Sequence, residues 1–103
     1  MSQDRTEALR AMLAQDANNS FVRYALAQAC ANAGRYQEAA AEYRELLRLN
    51  PDYVAGYYHG GQTLEKLGLT DEARVLYSEG LTACSRTGDL HTRSEIQAAL
   101  DLL

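Results

Sequence analysis

The stretch Gly34-Arg35-Tyr36-Gln37-Glu38-Ala39-Ala40-Ala41-Glu42-Tyr43 has a counterpart 34 residues later. This is Gly68-Leu69-Thr70-Asp71-Glu72-Ala73-Arg74-Val75-Leu76-Tyr77, with Gly, Glu, Ala and Tyr at the same four places. Working outward at the same offset, Tyr24 falls on Tyr58, Gln28 on Gln62, Glu45 on Glu79 and Leu47 on Leu81, which makes eight identities in 34 positions. A fixed period of this length marks a chain of stacked units, each too small to bury its own apolar face. Such stacks build surfaces more often than they build active sites.

The composition fits a helical stack. With 103 residues, 47% hydrophobic, 23% charged and a single Pro, the chain has room for one domain and favours helix throughout. The net charge of -4 gives no basic footprint for nucleic acid. No apolar run is long enough to cross a bilayer, and the polar start Met1-Ser2-Gln3-Asp4-Arg5 does not read as a secretory signal, so the expected location is the cytoplasm. Cys30 and Cys84 have no His or Cys at metal-ligand spacing and read as buried free thiols, with a disulfide or redox role as the other reading. His59 and His91 are each alone in sequence, without a paired nucleophile or second ligand. No enzymatic constellation, metal site or cofactor is expected. Arg5, Arg10, Arg44 and Arg48 are interleaved with Glu7, Glu42 and Glu45, the pattern of a salt-bridged solvated face.

Six helices are predicted. Ser2 is placed to cap the first, whose apolar stripe is Leu9, Met12 and Leu13. The polar run Asp16-Ala17-Asn18-Asn19-Ser20 turns and caps the second, over 21–33, with Val22, Leu26, Ala29 and Cys30 buried and Gly34 closing it. The third covers 37–49, burying Ala39, Ala40, Tyr43 and Leu47, and stops at Asn50-Pro51-Asp52. The fourth runs to about Leu67 before Gly68, Thr70 caps the fifth, and Ser85-Arg86-Thr87-Gly88-Asp89 breaks the pattern. A final helix carries Leu90, Ile96, Leu100 and Leu103. The fold class is all-α, built of antiparallel pairs joined by short turns.

The residues Leu26-Ala27, Gly34, Tyr36, Glu38-Ala39, Tyr43, Leu47 and Asn50-Pro51 carry a pattern that resembles the tetratricopeptide repeat. Its signature places hold Arg23, Leu26-Ala27, Cys30, Ala39, Tyr43 and Pro51 in one repeat, and Tyr57, Gly60-Gly61, Leu64, Ala73, Tyr77 and Ser85 in the next. The resemblance covers 20–87 and reaches back, because 13–20 aligns with 47–54. It implies a single domain: a half repeat over 1–19, repeats over 20–53 and 54–87, and a capping helix over 88–103. Gly60 stands where the signature has Leu, beside Gly61 and four residues after Gly56. Two readings are open there: a neighbouring helix packs closer, or a recess accepts a ligand's backbone.

In proteins of this family the first helix of each pair lines a concave groove that holds a partner's peptide. Carried onto this chain, the groove residues are Tyr24, Gln28, Ala31, Tyr58, Gln62 and Glu65, with Tyr24 beside Tyr58 and Gln28 beside Gln62. Gln supplies a donor and an acceptor for a peptide backbone, and Tyr gives large contact area at low entropy cost. The Lys and Arg that some members use to clamp a C-terminal carboxylate are missing here. Lys66 is the nearest charge on those helices, and Arg93 lies in the last one. The expected role is a non-catalytic adaptor or scaffold that binds a protein or peptide, with no nucleic-acid or membrane partner. The alternative is a self-assembling unit whose Leu100, Leu102 and Leu103 seat on another copy.

Overall fold

The computed structural model describes the backbone of residues 2–103 and the side chains from Arg5 onward. Six helices are present among them: α1 (Ser2–Gln15), α2 (Ser20–Asn32), α3 (Tyr36–Leu49), α4 (Val54–Lys66), α5 (Thr70–Thr87) and α6 (Leu90–Asp101). The cap expected from the Ser2 side chain lies outside the described side chains.

Each helix packs on the next in sequence, and α4 also touches α2 and α6. The outer helices α1, α3 and α5 do not approach one another in this way. The stack is therefore closer together along α2, α4 and α6, which makes that row the concave side. The particle measures 36 × 28 × 19 Å.

Local chemistry sets the turns. Gly34 and Gly68 take φ of 78° and 75°, the left-handed region that a Cβ resists. The following amides then bond back across the helix end, Arg35 N–H to the Cys30 carbonyl and Leu69 N–H to the Leu64 carbonyl, each at 2.9 Å. Asn19 caps α2 by accepting the Val22 N–H at 3.1 Å, and Asp89 caps α6 by accepting the Thr92 N–H at 2.9 Å.

Two features differ from the sequence-based expectation. Thr70 is the first residue inside α5 rather than its cap, because the Gly68 turn already aims Leu69 into the helix and the Leu69 carbonyl accepts the Ala73 N–H. Ser85, Arg86 and Thr87 do not break α5, which continues through Thr87 to its Gly88 cap. At the place of Pro51, Ser85 keeps its backbone N–H, and its hydroxyl donates to the Leu81 carbonyl at 3.2 Å.

The core forms two clusters. One gathers Leu13, Val22, Leu26, Ala27, Cys30, Ala39, Tyr43 and Leu46 between α1, α2 and α3. The other gathers Ala40, Leu47, Tyr57, Leu64, Ala73, Tyr77, Ala83, Cys84 and Ile96. Ala39 and Ala73 are fully buried where paired helices meet. Of the expected apolar residues, Met12 is 52% exposed and Leu90 is 73% exposed, so each lies off its helix's packed face.

The glycines of α4 are filled, not hollow. A Cβ on Gly60 would lie 3.0 Å from Leu76 Cδ2 and 3.2 Å from Tyr43 Cβ, and one on Gly61 would overlap the edge of the Tyr77 ring. Gly56 meets Leu46 and Leu47 in the same way. The missing side chains let α3 and α5 close onto α4, so the space at these glycines is taken by Leu46, Leu47, Tyr43, Leu76 and Tyr77.

Candidate protein-interaction groove

A cavity of about 400 Å³ opens on the concave side between α2 and α4. Gln28, Ala31 and Asn32 line it from α2, and His59, Gln62, Thr63, Glu65 and Lys66 from α4, while Tyr36 and Tyr43 contribute from α3. Four of the six expected groove residues (Gln28, Ala31, Gln62 and Glu65) therefore line one cavity. Tyr24 and Tyr58 do not line it but flank it. His59 is interposed between them, its ring 5.8 Å from that of Tyr24 and 5.1 Å from that of Tyr58. The expected stacking of Tyr24 beside Tyr58 is thus replaced by Tyr–His–Tyr contact. Tyr24 also packs on Tyr53 and Tyr43, at 5.2 and 6.3 Å between ring centroids.

Hydrogen bonds orient the lining. Gln62 Nε2 donates to the Tyr58 hydroxyl at 3.0 Å, and the Tyr77 hydroxyl donates to Glu65 Oε2 at 2.5 Å. Burial, reinforced by Glu65, pushes the Tyr77 hydroxyl far above the ordinary phenol range, so it remains a donor. Burial does the same to Tyr43. Burial also holds the His59 imidazole below its usual pKa, opposed by Glu95 on α6. Lys66 carries no ion pair among the described residues. Arg93, the other cation considered, does not line the cavity.

The outer side is organised by charge. Arg10 pairs with Glu38 at 3.0 Å and Arg44 with Glu72 at 3.1 Å, the same contact one repeat apart. Arg23 pairs with Glu42 at 2.7 Å where the side chains are only 13% and 18% exposed. Cys30 and Cys84 are buried free thiols in separate clusters, each pushed upward in pKa by burial. No group of three or more potential metal-binding side chains occurs among the described residues. No helix among them is long and apolar enough to cross a membrane.

The family described as TPR repeat matches residues 27–68. A tetratricopeptide repeat domain protein of Salinibacter ruber, solved by crystallography, superposes with a TM-score of 0.75 at 38% identity, over 80% of this chain and 91% of that one. The chain belongs to the tetratricopeptide repeat family. The solution structure of a Bordetella parapertussis protein superposes with a TM-score of 0.79 at 32% identity, covering 93% of this chain and 84% of that one. A TPR repeat-containing protein of Pseudomonas aeruginosa is 28% identical over 94 residues, 91% of this chain and 90% of its own length. Tetratricopeptide repeats in general mediate protein–protein interaction and scaffolding.

Within this tetratricopeptide stack, reasoning from the repeat offset missed Asn32, Tyr36, Tyr43, Thr63 and the placement of His59 and Lys66. Asn32 and Lys66 were findable, since each lies four residues beyond a groove glutamine on the same helix face. Tyr36 and Tyr43 come from the paired helix and reach the cavity only through tertiary packing.

Proposed function

We propose that the chain is a non-catalytic adaptor that binds a peptide segment of a partner protein on its concave side. The observation that carries this reading is the cavity between α2 and α4, where equivalent polar side chains from two repeats, Gln28 and Gln62, line one space. Their amides offer donors and acceptors at the spacing of successive repeats, which suits a peptide backbone crossing the helices. Tyr24, Tyr58 and His59 supply aromatic surface at the rim. The two buried thiols suit a reducing compartment, and we place the protein in the cytoplasm. For the self-assembly alternative, Leu100 and Leu103 already pack against this chain's own core, which leaves Leu102 alone outward at 88% exposed.

The test is capture of partners on immobilised wild type and on a Gln28→Ala, Gln62→Ala, Lys66→Ala variant. Circular dichroism checks that the variant remains helical. A protein held by the wild type and released by the folded variant supports the adaptor reading. Identical capture by both moves the site off the concave face, and capture of only the chain itself favours self-assembly.

A further inference from the structure

The two repeats treat one buried hydroxyl differently. Tyr77 and Tyr43 are equivalent residues, and the Tyr77 hydroxyl is satisfied by Glu65 at 2.5 Å. The residue in Glu65's place one repeat earlier is Ala31, which has nothing to offer. Tyr43 is only 2% exposed, yet its hydroxyl has no hydrogen-bond partner among the described residues. It is not sealed in either: the enclosed, unpartnered side-chain atom among those residues is Arg23 Nε. Tyr43 and Ala31 both line the concave cavity, whereas the hydroxyl of the counterpart Tyr77 meets a carboxylate. A hydroxyl left to solvent in a confined space gains a stronger, charge-assisted bond when a carboxylate takes the water's place.

We propose that the space beside Ala31 is a subsite for the carboxylate of an acidic side chain on the bound peptide, accepting the Tyr43 hydroxyl as Glu65 accepts that of Tyr77. The inference rests on the reading of this side as a peptide groove and adds what the peptide must carry. Lys66 supplies a cation in the same cavity, and the Gln28 and Asn32 amides supply further donors. Glu65 is already engaged by the Tyr77 hydroxyl.

The test uses the full chain and an array of nine-residue peptides, acetylated and amidated at their ends, with varied flanks and Glu, Asp, Gln or Ala at the centre. A further set has Ala at the centre and a free C-terminus. The wild type is expected to prefer Glu and Asp centres over Gln. Tyr43→Phe, which keeps the ring, is expected to lose about tenfold in affinity for them, the effect of one hydrogen bond to a charged group. Ala31→Glu supplies the acceptor internally and is expected to lose the same preference, which keeps the test decisive if Tyr43→Phe folds poorly. Equal binding of Gln-centred peptides, preference for the free C-terminus, or indifference to both substitutions overturns the subsite. Peptide binding that depends on Gln28 and Gln62 but not on Tyr43 or Ala31 overturns the subsite and leaves the groove reading standing. No binding anywhere on the array overturns both.

Discussion

Tyr57 donates its hydroxyl hydrogen to the Pro51 carbonyl across 2.7 Å, tying α4 to the turn that precedes it. One repeat earlier Arg23 donates to the Ala17 carbonyl at 3.0 Å. The acceptor position repeats while the donor's chemistry does not, so the fold requires a polar tip there and not a particular residue. Tyr57→Phe keeps the packing and removes the tip. It is expected to cost about 1 kcal/mol, read as a fall of about 4–8 °C in Tm, with no change in peptide binding.

Helix propensity and packing make opposite predictions at Gly61. Propensity alone credits Gly→Ala in a helix with a gain of about 1 kcal/mol. The Tyr77 ring lies too close to leave room for a Cβ, so Gly61→Ala is expected instead to destabilise by about 1–3 kcal/mol or more. Urea unfolding decides between the two signs. A stabilised Gly61→Ala variant would falsify the close α4–α5 contact.

The two classes of ion pair separate by burial. The Arg44–Glu72 pair is half exposed, and a double-mutant cycle is expected to return less than about 1 kcal/mol, declining with added salt. Glu42→Ala strands the largely buried Arg23, whose Nε already lacks a partner, and is expected to cost about 3 kcal/mol with little salt dependence. Thermal unfolding in low and high salt compares them.

His59 gives the groove a pH dependence. Its folded-state pKa is depressed, so the unfolded chain binds more protons between that value and the ordinary 6.5. Stability is therefore full above 6.5 and falls as pH drops through the folded value. Urea midpoints between about pH 7.5 and 5.5, where carboxylates stay ionised, are expected to decline less in His59→Gln than in the wild type. Equal slopes in the two proteins would remove His59 as the cause.

The period itself was legible because Gly34 and Gly68, Ala39 and Ala73, and Tyr43 and Tyr77 answer local or pairwise demands that recur in every unit. The end of α5 was not, because Ser85 is polar and turn-prone in sequence yet has the backbone N–H that Pro51 lacks. The groove was legible along one helix face, where Gln28 and Gln62 follow from the offset. What lay hidden was the crossing of side chains between helices: His59 entering between Tyr24 and Tyr58, or Tyr77 lying over Gly61. Sequence spacing records neighbours on one helix, whereas these contacts depend on how closely two helices approach, which the glycines of α4 determine.

The continuation of α5 through Ser85 also shifts where the next helix starts. α2 begins at Ser20 and α4 at Val54, 34 residues apart, but α6 begins at Leu90, 36 residues on. The added turn carries Arg86 back to Asp52 at 2.9 Å and to the Pro51 carbonyl at 3.2 Å, so it is held against the preceding turn. Measured from their capping residues, α2 and α6 bury the same places: Val22 and Thr92 three residues on, Leu26 and Ile96 seven residues on. The last helix is thus built like the first of a pair but arrives two residues late.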